Sequence, residues 1–407
     1  MRYLFYILLF FTSLSAEVRV GLENLLKPPY VQMLKGKRVG LLTNHTAITH
    51  DLKSSIDVLK EGQNKHDYKL AALFAPEHGL NGAGHAWEHI VDGKLDNIPV
   101  FSLHGKTRRP TPEMLKNIDL LIYDIQDIGS RSYTYISTLF YAMEEAAKAG
   151  IAVMVLDRPN PINGLVVDGP LMEEKWRSIV GYINVPYCHG MTVAELAHFF
   201  NEEYRIECKL TIVPMKGWKR AMTFADTGLS WIPTSPHVPE PQTTYYYPMT
   251  GILGELGIVN IGVGYTLPFK CVGAPWINSR QLADTLNAQN LKGVIFYPFS
   301  YKPFYGKFVN EDCEGVLLMV VDPLVFEPVT TQYVIMGILK SLYPKHFTQA
   351  LKDQYKRREM FAKVNGTDRI YELMETKRYA TWELRQFQQQ ERKEFLVKRK
   401  RYLYSGY

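Results

Sequence analysis

An α/β fold is what this sequence predicts: a doubly wound parallel sheet followed by a second, smaller α+β domain. Three observations carry that expectation. Over residues 38–156, short apolar runs alternate with amphipathic stretches, the pattern of strands joined by crossover helices. Several of those runs end in polar, titratable residues, as strands do where open sheets build their sites. Finally, 407 residues are enough for two substantial cores.

The elements follow in order. Arg38–Leu42 reads as the first strand and runs into the polar turn Thr43-Asn44-His45-Thr46. Residues 51–62 carry helical spacing. Leu70–Ala75 is a continuous apolar run stopped by Pro76, a buried parallel strand. It delivers Glu77 and His78 to a glycine-rich turn, with His85, Glu88 and His89 beyond. Ile98–Leu103 is a third strand, ending at His104. Thr111-Pro112 opens a helix with proline just inside it. Asp119–Asp124 is the fourth strand. Residues 133–149 form a long amphipathic helix closed by Gly150. Ile151–Leu156 is the fifth. Right-handed crossovers gather the strand ends on one edge, which would carry Asn44, Glu77, His78, His104, Asp124, Gln126, Asp127, Asp157, Arg158 and Asn160.

Downstream, Thr192 to Glu195 is a capping box opening a helix, and Leu210–Val213 is strand-like. Residues 231–250 read as a long irregular loop rich in Pro, Ser, Thr and Tyr; its aromatics favour an ordered, functional loop. Residues 262–276 are another irregular stretch, followed by strands near 294–296 and 316–321. Residues 351–403 are helical and charged, with Trp382, Leu384, Phe387, Phe395 and Leu396 as a docking stripe. The expected boundaries are 1–16 for a leader, 17–190 for the α/β domain, 191–345 for the smaller domain and 346–407 for a basic helical segment.

Composition narrows the classes. Hydrophobic content is 46% and charged content 22%, an ordinary globular balance. Aromatics reach 13%, with 26 Tyr, suited to a sugar cleft or to a core with wet hydroxyls. Arg2, the apolar run Tyr3–Phe11 and the small residues Ser13, Ser15 and Ala16 resemble a secretory signal, so an exported, periplasmic or surface-associated protein is expected. The net charge is +6, and the excess sits in residues 351–407. This distribution argues against a nucleic-acid binder. The tail is a candidate for weak contact with an anionic surface, although a solvated helical face accounts for it more simply. The four cysteines lack C-x-x-C spacing; disulfides after export and buried free thiols both fit.

Four constellations bear chemistry. Glu77-His78, at a strand end beside apolar residues, suits a general acid. His85-Ala-Trp-Glu88-His89 has the H-x-x-E-H spacing of certain zinc peptidases, but surrounding glycines disfavour the helix that would bring both imidazoles to one face. Asp124 to Tyr135 runs from a strand end into a helix. Asp124 and Asp127 could add a second carboxylate, and Arg131 could bind an anion at the helix start or pair with Asp127. Asp157-Arg158-Pro159-Asn160-Pro161 holds an arginine for bidentate carboxylate binding or for a structural ion pair. Neither a G-x-G-x-x-G nor a P-loop occurs, so nucleotide binding is not expected.

Taken together, these stretches resemble one family, the exo-β-N-acetylmuramidases (NamZ/YbbC-like) of bacterial peptidoglycan recycling. The matching blocks are Gly40–Asn44, Ala75–Gly79, Asp124–Gly129 with Arg131 and Tyr133–Tyr135, and Leu156–Pro161. They continue with His189–Thr192, Glu195–Ala197, Ser235-Pro236, Pro268-Phe269, Gly273–Trp276 and Arg401–Tyr404. The resemblance implies a Rossmann-like domain plus a smaller one, an active site in the cleft between them, and release of N-acetylmuramic acid from the non-reducing end of peptidoglycan fragments. It implies Glu77 as acid/base oriented by His78, with Asp124 and Asp127 as further catalytic candidates. Asn44, Glu88, Arg131, Tyr133, Arg158, Asn160 and His189 become candidate substrate contacts. Arg131 or Arg158 would meet the lactyl carboxylate that distinguishes muramic acid. The implied substrate is a muropeptide or a muramyl-glucosamine disaccharide, with no cofactor and no metal. Two departures stand out: the family's Glu-Gly-Arg-Gly-Thr stretch reads Ile261-Gly262-Val263-Gly264-Tyr265, and Trp87 replaces a small residue. The alternatives are a zinc-dependent hydrolase using His85, Glu88 and His89, and a non-catalytic binder of cell-wall fragments.

Overall fold

The computed structural model describes residues 17–82, 84 and 91–407. The leader-like stretch 1–16 and the motif residues His85, Trp87, Glu88 and His89 lie outside them. Seven strands form the first sheet: β1 (Arg38–Thr43), β2 (Lys69–Ala75), β3 (Gly93–Leu95), β4 (Ile98–Ser102), β5 (Leu120–Asp124), β6 (Ala152–Leu156) and β7 (Leu210–Val213). Their order is β3-β4-β2-β1-β5-β6-β7. All pairings are parallel except that of β3 with β4.

The inner strands read as unbroken apolar runs because both of their faces are covered. On one face lies the helix Thr134–Lys148, which buries Ile136, Leu139, Phe140 and Met143. On the other, Leu59 of the helix Ser55–His66 joins Val20, Leu22 and Leu25 over Val39, Leu41 and Ile122. The chain runs from β1 outward to β2, then returns to place β5 on β1's other side. That reversal makes the carboxyl ends of β1, β2 and β5 a topological switch point, where open sheets form crevices.

The boundary expected at residue 190 falls too early. The helix Val193–Glu203, opened by the Thr192 capping box, leads into β7, which pairs with β6. The irregular segment after β6 interrupts the strand–helix alternation without ending the domain. The expected loop over 231–250 is also corrected, because a helix runs from Thr243 to Glu255 with Pro248 inside it.

The second sheet has three antiparallel strands, β8 (Cys271–Ala274), β9 (Val294–Tyr301) and β10 (Cys313–Val320), in the order β8-β10-β9. The helix Ser279–Asn287 covers one face, and Pro328–Leu342 packs against that helix and Thr243–Glu255. The short helix Thr381–Gln386 packs on Pro328–Leu342, where Thr381 fits against Gly337. In the expected docking stripe, Leu384, Phe387 and Phe395 are buried, whereas Trp382 and Leu396 are exposed. The chain finally returns to the first domain. Tyr407 stacks edge-on against Trp218 and its hydroxyl donates to Asp157 Oδ2 at 2.5 Å. All four cysteines are free and buried.

Candidate active site

Proline 76 has no N–H to continue β2, and the chain turns sharply there. His78 and Gly79 both take left-handed backbone angles (φ 69° and 75°). The turn swings the Glu77 side chain inward, where it is 5% exposed. Thr134, the first residue of the helix after β5, donates its hydroxyl to Glu77 Oε2 at 2.6 Å. His104, just beyond β4, brings Nε2 to 3.6 Å from Oε1. Two strand ends and the start of the helix after β5 thus converge on one carboxyl group. The neighbouring His78 shares a hydrogen bond through Nδ1 with the Gly84 carbonyl at 2.7 Å, and its ring meets Tyr135 edge-on. It braces the turn, while Thr134 and His104 hold Glu77.

Glu77 opens into a cleft of about 1070 Å³ between the two domains. From the first domain come Glu77, His78, Ser132, Tyr133 and Thr134; from the second come Tyr247, Glu255, Asn260, Ile261, Val263 and Phe269. Lys307, Lys356 and Arg357 supply positive charge. Ser132 Oγ shares hydrogen bonds with the hydroxyls of Tyr187 (2.6 Å) and Tyr247 (3.3 Å). Tyr133 donates to Thr234 Oγ1 at 2.9 Å, and burial pushes its hydroxyl pKa up. Glu255, in the last turn of its helix, is a second carboxyl group of the cleft. Burial raises its pKa, and the Arg357 guanidinium opposes that shift. Tyr247 lies near enough to Glu77 and Glu255 to feel the charge of both.

The other expected site residues lie behind this cleft. Asp124 and Arg158 form a buried bidentate pair, with Nε–Oδ1 at 2.6 Å and Nη2–Oδ2 at 3.0 Å. Each therefore neutralises the other, and neither lines the cleft. Asp127 does not pair with Arg131. Its Oδ2 accepts from the Gly129 N–H at 2.7 Å, its Oδ1 finds no partner among the described residues, and burial pushes its pKa up to about 7. Arg131 is completely buried and donates to the carbonyls of Pro170, Val185 and Asn365 at 2.6–2.7 Å, with Val364 at 3.5 Å. Gly366 makes room for it, since a Cβ there would collide with the guanidinium. Asn44 accepts from Thr46, and Asn160 bridges Met191 and Ile162. His189 is fully buried, and loss of solvation holds its pKa down to about 3. Of the expected residues described, Glu77, His78 and Tyr133 reach the cleft.

The residues that sequence reasoning missed come from distant parts of the chain. The Tyr-rich segment flagged as functional contains Tyr247. Glu255, Asn260, Lys356 and Arg357 carry no local signal, because folding alone brings them opposite Glu77.

Known proteins match most of this chain. Residues 39–242 match the family described as exo-beta-N-acetylmuramidase NamZ, N-terminal, and residues 245–404 match its C-terminal counterpart. The chain is 46% identical over 339 residues to the peptidoglycan beta-N-acetylmuramidase NamZ of Bacillus subtilis (strain 168), spanning 83% of this chain and 80% of that one. A crystal structure of a DUF1343 family protein from Bacteroides fragilis NCTC 9343 superposes with TM-score 0.88 at 43% identity, covering 95% of this chain and 98% of its own. A second DUF1343 structure from the same strain gives TM-score 0.74 at 28% identity, with 95% and 99% covered.

Proposed function

Because the chain belongs to the exo-β-N-acetylmuramidase family, we propose that it hydrolyses the glycosidic bond of a terminal N-acetylmuramic acid in peptidoglycan fragments. The observation that carries this reading is the buried Glu77, held by Thr134 and His104 at the floor of a sugar-sized cleft. In its acid form, Glu77 gives its proton to the glycosidic oxygen as the C1–O bond breaks, and water then adds its hydroxyl at C1 and returns a proton to the Glu77 carboxylate. Lys307, Lys356 and Arg357 are the cations suited to the lactyl carboxylate, the role expected of Arg131 or Arg158. Ser132 Oγ suits an acetamido or hydroxyl group, whereas the Asn260 amide is fully engaged with Val263, Lys307, Gly262 and Tyr301 and shapes the wall.

Two further points belong to the same proposal. The apolar N-terminal run beginning at Tyr3 supports export to the periplasm or cell surface, where muropeptides or muramyl-glucosamine would be met. The exposed cations Lys393, Lys400 and Arg401 are those available for a weak contact with an anionic surface. The central test is incubation with muramyl-glucosamine, which should yield free N-acetylmuramic acid. Glu77→Gln should lower kcat at least about 100-fold while the disaccharide still binds. Near-normal turnover in that variant would remove Glu77 from the chemistry.

A further inference from the structure

The second domain leaves a row of aromatic rings uncovered beside the cleft. Phe304 is 58% exposed, Tyr305 46% and Tyr297 61%. They belong to β9 and the loop after it, and that loop reaches the cleft through Gly306 and Lys307. The Tyr305 hydroxyl meets Nε2 of the cleft residue His237 at 2.8 Å. From there the ring centroids run 5.8 Å from Tyr305 to Phe304, 6.2 Å on to the half-buried Tyr265 and 6.3 Å from that ring to the half-buried Phe299, both of which rest on the buried Tyr301 cluster. Tyr297 continues the outward face of β9 two residues from Phe299. The Phe304 N–H donates to the Gly264 carbonyl at 2.8 Å, which fixes the loop.

Exposed aromatic rings clustered beside a cleft suit a binding face, and flat rings present an apolar face at little entropic cost. We propose that this row is a stacking platform for the saccharide units that trail out of the cleft, so that the protein favours glycan chains longer than a disaccharide. The proposal rests on the muramidase reading. Its occupant is argued from continuity: the row begins at a cleft residue, and an exo-acting cleft must let the rest of the chain leave at one side. Pyranose rings have apolar C–H faces that match aromatic rings, and successive centroids are separated by a step comparable to one sugar.

The test compares a 4-nitrophenyl N-acetylmuramide with muramyl-terminated tetra- and hexasaccharides. The wild type should show a higher kcat/KM on the longer chains. The double substitution Phe304→Ala/Tyr305→Ala should lose about tenfold on them and less than twofold on the aryl glycoside. Tyr305→Phe, which keeps the ring and drops the hydrogen bond to His237, should retain the chain-length preference. Absence of that preference in the wild type, or equal losses on both substrates, would overturn the platform. So would sedimentation showing that the row joins two copies of the chain. If the wild type releases no muramic acid from any substrate, the muramidase reading fails, and hexasaccharide binding by calorimetry then decides the platform. Weaker binding by the double variant supports it, and equal binding overturns it.

Discussion

At the scale of single residues, the carboxyl groups of this protein divide by what surrounds them. Glu77 meets a hydroxyl and an imidazole at the cleft floor, whereas Asp124 meets a guanidinium. Thr134→Val removes a hydrogen bond to a carboxylate, worth about 1.5–3 kcal/mol, so kcat should fall about 10–100-fold with KM little changed. Asp124→Ala should instead cost about 3–5 kcal/mol of stability, because it strands the buried Arg158 charge; a urea unfolding curve reads that loss. Asp127 gives a pH signature. Its folded pKa, about 7, lies above the unfolded value of about 3.9. The native state therefore holds a proton that the unfolded state releases, and stability falls as pH rises between those values. Asp127→Asn should flatten that decline in unfolding midpoints taken from pH 4 to 8.

At the scale of elements, the first-domain strands declare themselves and the far wall does not. β1, β2, β5 and β6 stand in the sequence as apolar runs because both of their faces are covered, and the half-buried β4 and β7 read as strands from their shorter apolar runs. Glu77 is legible for the same reason, since Pro76 ends its strand visibly. The helix Thr243–Glu255 hides behind Pro248 and three consecutive tyrosines, whose intrinsic preferences point to turns and strands. Asp124 and Arg158 sit at separate strand ends, so only the parallel pairing of β5 with β6 reveals that they meet. Lys356 and Arg357, in a charged helical stretch, look like any solvated face until the tail folds over the cleft. Arg357→Ala should raise KM for muramyl-glucosamine about tenfold, the loss of about 1.4 kcal/mol of uniform binding. Its effect on kcat should be small, and added salt should narrow the gap to wild type.

At the scale of the whole molecule, the two domains and the tail are one interlocked unit. Two of the tail's basic residues tie it down: the buried Arg399 donates to the carbonyls of Gly164, His189 and Gly190, and the half-buried Arg392 to that of Phe387. A chain cut after residue 345 would lose these contacts together with the Asn365 carbonyl that receives Arg131. It should unfold well below the full chain's midpoint in thermal circular dichroism, rather than behave as a stable smaller enzyme.

The clamp on Arg131 also sets an order of events. Its guanidinium stands immediately before Ser132, Tyr133 and Thr134, and part of its coordination comes from residues 364 and 365, more than two hundred positions later. A polypeptide made from its amino end can assemble the strands early, but it cannot lock the floor of the cleft until its final quarter arrives. Hydrolytic competence is therefore deferred to near-completion of synthesis, so half-made chains would not cut cell-wall sugars.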